Sequence, residues 1–186
     1  MKRIFDIVAS VLLLIIFAVP MLLIALAVRL TSKGQALYWS DRVGRNNRVF
    51  RMPKFRSMRI DTPEIATHLL EQPTTYLTPL GSFLRRTSLD ELPQLLSVFH
   101  GDMSLVGPRP ALFNQDDLIE SRTKAGVHTL APGITGWAQI NGRDELRIPE
   151  KVRMDEQYLH AQSMLLDTRI LLMTLMKVIR REGVSH

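Results

Sequence analysis

Cysteine is absent from the 186-residue chain. Its absence excludes a disulfide framework, a thiol nucleophile and any cysteine-ligated metal, and is in keeping with a reducing compartment. The phosphate-binding glycine signatures are missing as well. There is no GxxxxGK followed by Ser or Thr, and no GxGxxG after a strand-like run. The five histidines, His68, His100, His128, His160 and His186, are scattered without metal-ligand spacing. Acidic residues are short in number, 18 against 24 Lys plus Arg, which leaves a net charge of +6. That surplus favours an anionic partner: nucleic acid, acidic lipid or a phosphorylated small molecule. No repeat, low-complexity tract or linker divides the chain, and its length suits about one domain with a core of its own.

What is present begins with one long apolar run. Ile7 to Val28 is interrupted only by Ser10 and Pro20. Its roughly 22 residues are enough to cross a hydrocarbon core of about 30 Å. It is long for a signal-peptide core, and no small-x-small site precedes the basic residues, so a retained segment is expected. Lys2 and Arg3 stand before the run, with Arg29 and Lys33 after it. Positive charge prefers the cytoplasmic side, so a single span would strand one basic end. A helix that enters and returns on the same face removes the conflict, and Pro20 suits such a break. A kinked ordinary span remains the alternative.

Leu37 to Phe55 reads as a hairpin, with β-prone runs at 36–39 and 48–51 around Gly44, Asn46 and Asn47. Pro53 is expected to limit its second strand. Short helices are expected over 65–71, 80–86 and 92–99, and a longer one over 111–124, ending at Gly126. Residues 128–143 read as loop. Pro149 opens a helix that runs to about Ala161. From Leu165 to Arg181 a broad apolar helix carries a narrow polar stripe (Asp167, Thr174, Arg181), suited either to a core or to a membrane interface. The expected architecture is mainly α with a small β-hairpin. Residues 1–32 form the membrane helix, re-entrant in form, with its basic flanks. Residues 33–186 form a compact cytoplasmic-face domain with interfacial amphipathic helices.

Four constellations have chemical potential. The basic run Arg42, Arg45, Arg48, Arg51, Lys54, Arg56, Arg59 is opposed only by Asp41. Strand parity puts Lys54 and Arg56, with Arg48, on one face that suits a pyrophosphate; a solvated or lipid-facing basic surface is the plain alternative. The pair Asp90-Glu91, preceded by Arg85 and Arg86, reads as a helix start in isolation. Yet a carboxylate can attack phosphorus, and a helix start favours phosphate. In Gly107-Pro108-Arg109-Pro110 the flanking prolines restrict the backbone around one guanidinium, as in an anion clamp or simply a rigid turn. Pro132 to Arg143 mixes turn residues with amide, indole and guanidinium groups, the inventory of a sugar or nucleotide loop.

Five segments in order resemble the bacterial sugar transferases, specifically the small monotopic phosphoglycosyl transferases: Lys2 to Asp6, Lys54 to Met58, Thr87 to Gln94, Gly101 to Pro110 and Pro132 to Arg143. The resemblance implies a monotopic protein of the bacterial inner membrane, its body on the cytoplasmic face. It implies transfer of a sugar 1-phosphate from a nucleotide diphosphate sugar, usually uridine-linked, onto polyprenyl phosphate. Asp90 would be the nucleophile of a ping-pong reaction and Glu91 its partner. Mg²⁺ would be the cofactor, with Asp90 as its ligand. Lys54, Arg56, Arg85, Pro108, Arg109, Arg143 and Asp155 would meet substrate, with Tyr158 following the late acidic motif. Val19 before Pro20, Asn47 in the hairpin and Met154 before Asp155 depart from the family's usual Ser, Gly and aromatic. The alternative is a membrane-tethered, non-catalytic module that binds nucleic acid or anionic lipid through its basic face. No nucleic-acid reading motif supports it, so no nucleic-acid partner is expected. Pairing into a homodimer stays open, as does the identity of the sugar.

Overall fold

The computed structural model describes residues 1–63, 72–142 and 146–180. It is mainly helical with a small sheet, as expected. The first helix, α1 (Lys2–Thr31), is 30 residues long and stays helical through Pro20, where the sequence suggested a break, so its path measures about 45 Å at ~1.5 Å per residue. It outruns the apolar stretch because its polar first turns are drawn into the body. Lys2 Nζ donates to Asp167 Oδ2 at 2.6 Å. Arg3 donates to the carbonyls of Val98 and Phe99. Asp6 is buried and accepts from Ser104 Oγ at 2.8 Å and from Leu105 N at 3.1 Å. Near the other end Val28 is buried with Phe55 and Leu84. Both ends of the helix therefore touch the same body. An outward face that includes Ile4, Val8, Leu12, Ile15, Val19, Leu22 and Leu26 is left exposed, at the three- and four-residue spacing of one helical face.

The hairpin forms from β1 (Leu37–Val43) and β2 (Val49–Phe55), antiparallel, with Tyr38 opposite Lys54, Ser40 opposite Met52 and Arg42 opposite Phe50. Asn46 and Asn47 take φ of 55° and 59° in the turn, a left-handed conformation that Asn tolerates better than most residues. β2 runs on through Pro53 instead of stopping there. It is an edge of its sheet, with β1 as its single strand neighbour among the described residues, and an edge strand has a side where a missing N–H costs no ladder bond.

α2 (Gly81–Thr87) and α3 (Gln94–His100) lie close to their expected places. The segment from Ala111 departs from expectation. Ala111–Leu112 is β4, paired to β1 through Arg42 and Val43, and α4 begins only at Asp116, running to Lys124. The backbone of Ala111 and Leu112 serves the free side of β1, which a local helical pattern cannot reveal. The expected loop over 128–143 also contains structure. β5 (Gly133–Thr135) pairs in parallel with β3 (Ser104–Val106), and α5 (Trp137–Ile140) follows. The chains meet so closely there that a Cβ on Gly107 would overlap the Ala131 carbonyl, and one on Gly136 would overlap the Gly107 carbonyl. The helix expected over 65–71 lies outside the described residues.

α6 (Ile148–Ala161) has Pro149 in its first turn, as expected. α7 (Met164–Arg180) turns Asp167 and Thr174 of its polar stripe inward, while Arg181 lies outside the described residues. Asp167 is 1% exposed and accepts from Tyr158 Oη at 2.6 Å as well as from Lys2. Thr174 and Thr135 share a hydroxyl hydrogen bond of 2.7 Å, and Lys177 donates to the Ile140 carbonyl at 2.6 Å. Leu165, Leu172, Leu175 and Met176 face outward. The main core joins Met52, Leu95, Val98, Met103, Leu105, Val106, Ile140, Tyr158 and Ile170, with Phe5, Ala9 and Leu13 of α1 packed on it.

Breaking a buried ion pair costs about 3–5 kcal/mol, because the remaining charge keeps its desolvation penalty. Lys2→Ala leaves Asp167 buried and should cost about 3 kcal/mol in thermal unfolding in a lipid bilayer disc. Lys124→Ala breaks only the exposed pair with Glu120 and should cost no more than about 0.5 kcal/mol. Gly107→Ala forces a backbone shift and should destabilise by about 3 kcal/mol or more in the same measurement.

Candidate active site

A left-handed residue, Ser88, ends α2 with φ 56° and ψ 17°. Its backbone N–H returns to the Arg85 carbonyl at 3.1 Å, and a single 3₁₀ turn, Leu89–Glu91, follows. A residue other than glycine held in this conformation stores local strain. Leu89 and Leu92 pack towards Val28, Phe55 and Leu84, which turns Asp90 and Glu91 away from that cluster. The acidic pair does not cap a helix as the local sequence suggests. Pro93 stands at the N-cap of α3, two residues after Glu91. Two residues, Leu92 and Pro93, separate the acidic pair from α3 and leave the pair in a tighter turn of its own.

The two carboxylates have different surroundings. Asp90 is 7% exposed, and burial raises its pKa from 3.8 to about 6 against the pull of Lys54. Neighbouring Glu91 pushes in the same direction as burial, while Arg85 and Arg109 oppose it. Glu91 is held by cations: Lys54 Nζ donates to Glu91 Oε1 at 2.9 Å, and Arg109 Nη1 approaches the same oxygen at 3.4 Å. Burial lowers the pKa of Lys54, with Glu91 the strongest opposing influence.

A cavity of about 180 Å³ opens at Asp90, and Tyr38, Arg42, Lys54, Arg56 and Arg85 share its lining. Strand pairing explains this grouping. Lys54 lies directly opposite Tyr38, so both project from one face, and Ser40 and Arg42 follow on the same parity of β1. Arg56 extends beyond the strand and places its guanidinium 5.9 Å from the centre of the Tyr38 ring.

The Pro108-Arg109-Pro110 turn is held by its carbonyl groups as well as by its prolines. Arg122 Nη1 donates to the Arg109 carbonyl at 2.7 Å, and Arg42 Nη1 donates to that of Pro110 at 3.2 Å. Arg122 is in turn fixed by Asp155, with Nη2 at 2.7 Å and Nε at 3.0 Å from Asp155 Oδ2. Asp155 is 1% exposed, and burial raises its pKa while Arg122 pulls it down. It stands behind the turn and lines neither this cavity nor a second, apolar cavity bordered by Ser88 and Glu91.

Of the residues singled out from sequence, Asp90, Lys54, Arg56 and Arg85 share one cavity, and Glu91 and Arg109 join them by ion pairing. Pro108 and Arg109 border a small space of about 30 Å³ next to Arg122. Asp155 is set apart, Pro20 lies in the middle of α1, and Arg143 lies outside the described residues. Tyr38 and Arg42 were missed as site residues, although a period-two reading of β1 would have brought them in with Lys54. Arg122 gave no signal, because one arginine on an amphipathic helix looks like any surface residue.

The donor set bears on Mg²⁺. Among the described residues no three or more His, Asp or Glu stand together to hold a metal. Mg²⁺ commonly takes one or two carboxylates and completes its shell with water and substrate phosphate. Asp90 fits that pattern, because Glu91 is already shared by Lys54 and Arg109.

The family described as "Bacterial sugar transferase" matches residues 1–181. An undecaprenyl-phosphate glucose phosphotransferase of Komagataeibacter xylinus is 42% identical over 191 residues, which cover 96% of this chain and 36% of that protein. An uncharacterized sugar transferase of Bacillus subtilis, EpsL, is 40% identical, covering 100% of this chain and 91% of its own length. A UDP-glucose:undecaprenyl-phosphate glucose-1-phosphate transferase of Escherichia coli is 38% identical, with 95% and 40% covered. The chain thus spans well under half of the first and third of these relatives and nearly the whole of the second. A match that runs from the first residue of α1 through α7 takes in the carboxylate turn, its cations and the apolar helix together, and the chain belongs to the bacterial sugar transferase family.

Proposed function

We propose that this chain transfers a sugar 1-phosphate from a uridine diphosphate sugar to polyprenyl phosphate at a membrane surface. The observation that carries this reading is a buried carboxylate, Asp90, in a cavity walled by Arg42, Lys54, Arg56 and Arg85. The names of the Komagataeibacter and Escherichia coli relatives, an undecaprenyl-phosphate glucose phosphotransferase and a UDP-glucose:undecaprenyl-phosphate glucose-1-phosphate transferase, support it.

Asp90 acts as the nucleophile. With a pKa of about 6 it is mostly ionised at neutral pH and needs no base. One of its oxygens forms a bond to the phosphorus that bears the sugar, the bond from that phosphorus to uridine monophosphate breaks, and the uridine monophosphate leaves. The sugar phosphate is now an acyl phosphate on Asp90. An oxygen of polyprenyl phosphate then attacks the same phosphorus, the bond to Asp90 breaks, and the carboxylate is restored. Lys54 and the arginines offset charge on the transferring phosphates. Glu91 holds Lys54 and Arg109 in place for that task. Mg²⁺, with Asp90 among its ligands, would add charge neutralisation at the phosphates. Behind the site, Asp155 and Arg122 fix the carbonyl of Arg109.

The membrane arrangement is part of the same proposal. α1 is re-entrant and the body lies on the cytoplasmic face of the bacterial inner membrane, with α7 lying in the interface. Two features support it: both ends of α1 touch the body, and the outer faces of α1 and α7 are apolar and exposed. An acceptor with an anionic head and a long apolar tail is then met at the depth where it resides.

Asp90→Asn should abolish the covalent sugar-phosphate adduct and lower turnover by about three orders of magnitude or more; normal turnover measured by uridine monophosphate release would refute the nucleophile assignment. Because the folded pKa of Asp90 lies above its ordinary 3.8, ionising it costs stability as pH rises from about 4 to 6, and that cost is constant above. Asp90→Asn should therefore unfold at a higher temperature than the parent at pH 7.5, by on the order of 1–3 kcal/mol, with the gain vanishing near pH 4. The first half-reaction should fall in acid with a midpoint near pH 6, read by exchange of labelled uridine monophosphate into the nucleotide sugar. For topology, the cysteine-free chain allows single labels. A cysteine placed ahead of Met1 and another at Lys33 should both react only from the cytoplasmic side, and periplasmic labelling of the first would overturn re-entry.

A further inference from the structure

The nucleotide cavity lies on the Asp90 side of the carboxylate turn, and a second cavity lies on the Glu91 side. It measures about 330 Å³, within the usual range for a small-molecule site. Ser88 and Glu91 of the turn line it, with apolar walls from Leu13 and Phe17 of α1 and from Leu171 and Leu175 of α7. Leu175 is also 56% exposed, so the cavity opens onto the outward apolar surface that α1 and α7 share. Lys177 joins the lining and is the residue that donates to the Ile140 carbonyl.

The two displacements at phosphorus restrict where an acceptor can sit. Each is in line with the bond that breaks. The attacking acceptor oxygen must therefore come in where the leaving oxygen of uridine monophosphate departed, opposite Asp90. The two phosphates share one place beside Lys54, Arg85 and Arg109, while the groups they carry must diverge. A nucleoside suits the polar wall of Tyr38, Arg42 and Arg56. A hydrocarbon chain does not, because burying it there would strip water from cations without replacing it. We infer that the cavity between α1 and α7 holds the first isoprene units of the acceptor, with the rest of its tail running out between these two helices into the bilayer. The inference rests on the proposed transfer to polyprenyl phosphate and adds the path of its tail.

A farnesyl phosphate analogue with a diazirine on its tail tests this with the full chain in bilayer discs. Photolabels should map to α1 around Leu13 and Phe17 and to α7 around Leu171 and Leu175. Undecaprenyl phosphate should compete them away, and the same amount of phosphatidylglycerol should not. Leu175→Trp, at a position already half in the open, should cut this labelling and raise KM for undecaprenyl phosphate roughly tenfold, a loss of about 1.4 kcal/mol in affinity, with no matching rise in KM for the nucleotide sugar. Labels spread evenly along the outer face of α1, or equal competition by phosphatidylglycerol, would overturn the inference, the latter marking a bulk-lipid crevice. An unchanged acceptor KM in a Leu175→Trp protein that unfolds at the parent temperature would overturn it too. A parent protein that exchanges no uridine monophosphate with any uridine diphosphate sugar would overturn the transfer reaction instead, and the competition arms would still decide what the cavity binds.

Discussion

The pairing of the charges at the start of α1 with groups of the body is the constraint on which the placement of that helix depends. Lys2 and Asp167, with the Tyr158 hydroxyl, form a cluster in which the aspartate is almost wholly buried. One turn on, Asp6 accepts from Ser104 and Leu105. Groups like these are costly to strip of water and must be closely paired, so they tolerate little displacement. They fix the first turns of an otherwise greasy helix against α7 and β3, and Val28 does the same near the far end by packing. With α1 and α7 set in this way, the surface they leave exposed is apolar, and the carboxylate turn sits beside the crevice between them.

Charge balance around that turn is the second constraint. Asp90 is buried enough to resist ionisation, yet the cations around it keep the resistance moderate. Glu91 takes up Lys54 and Arg109, which leaves Asp90 the less neutralised member of the pair. The nucleophilic role proposed for Asp90 calls for a carboxylate in poor solvation that is not fully paired. The strained Ser88 is consistent with such a site, since a residue in that conformation persists only where its surroundings impose it. Behind the arginine that reaches Glu91, the Asp155–Arg122 pair and Arg42 fix successive carbonyl groups of the Pro-Arg-Pro turn. The clamp is preorganised by backbone contacts as well as by proline.

Much of the fold was legible locally. The apolar run, the hairpin with its paired asparagines and the helix opened by Pro149 all appear where pattern and turn chemistry put them. The failures share one cause. Ala111 and Leu112 form strand because β1 has a side to pair, Pro53 stays in a strand because that strand is an edge, and β5 forms because Gly133 can press against Gly107. Each depends on a partner distant in sequence. The site follows the same division. Asp90, Glu91, Lys54, Arg85 and Arg109 stood out by type and neighbourhood, while Tyr38 and Arg42 needed the register of the hairpin, and Arg122 needed the whole fold.

The sequence by itself determined what chemistry was excluded, where the chain could meet a membrane, and which two carboxylates stood among arginines. These depend on residue type, length and short spacing, and no folding is needed to read them. Tertiary structure alone decided how those groups are divided: Asp90 to a cationic cavity, Glu91 to an ion pair with a lysine 37 residues away, Asp155 to the rear of the clamp. It also turned Asp167 and Thr174 of α7 inward and Leu165, Leu172 and Leu175 out. The reason is electrostatic. The ionisation of a buried acid depends on which cations surround it and how much water is excluded, and both are properties of the closed chain.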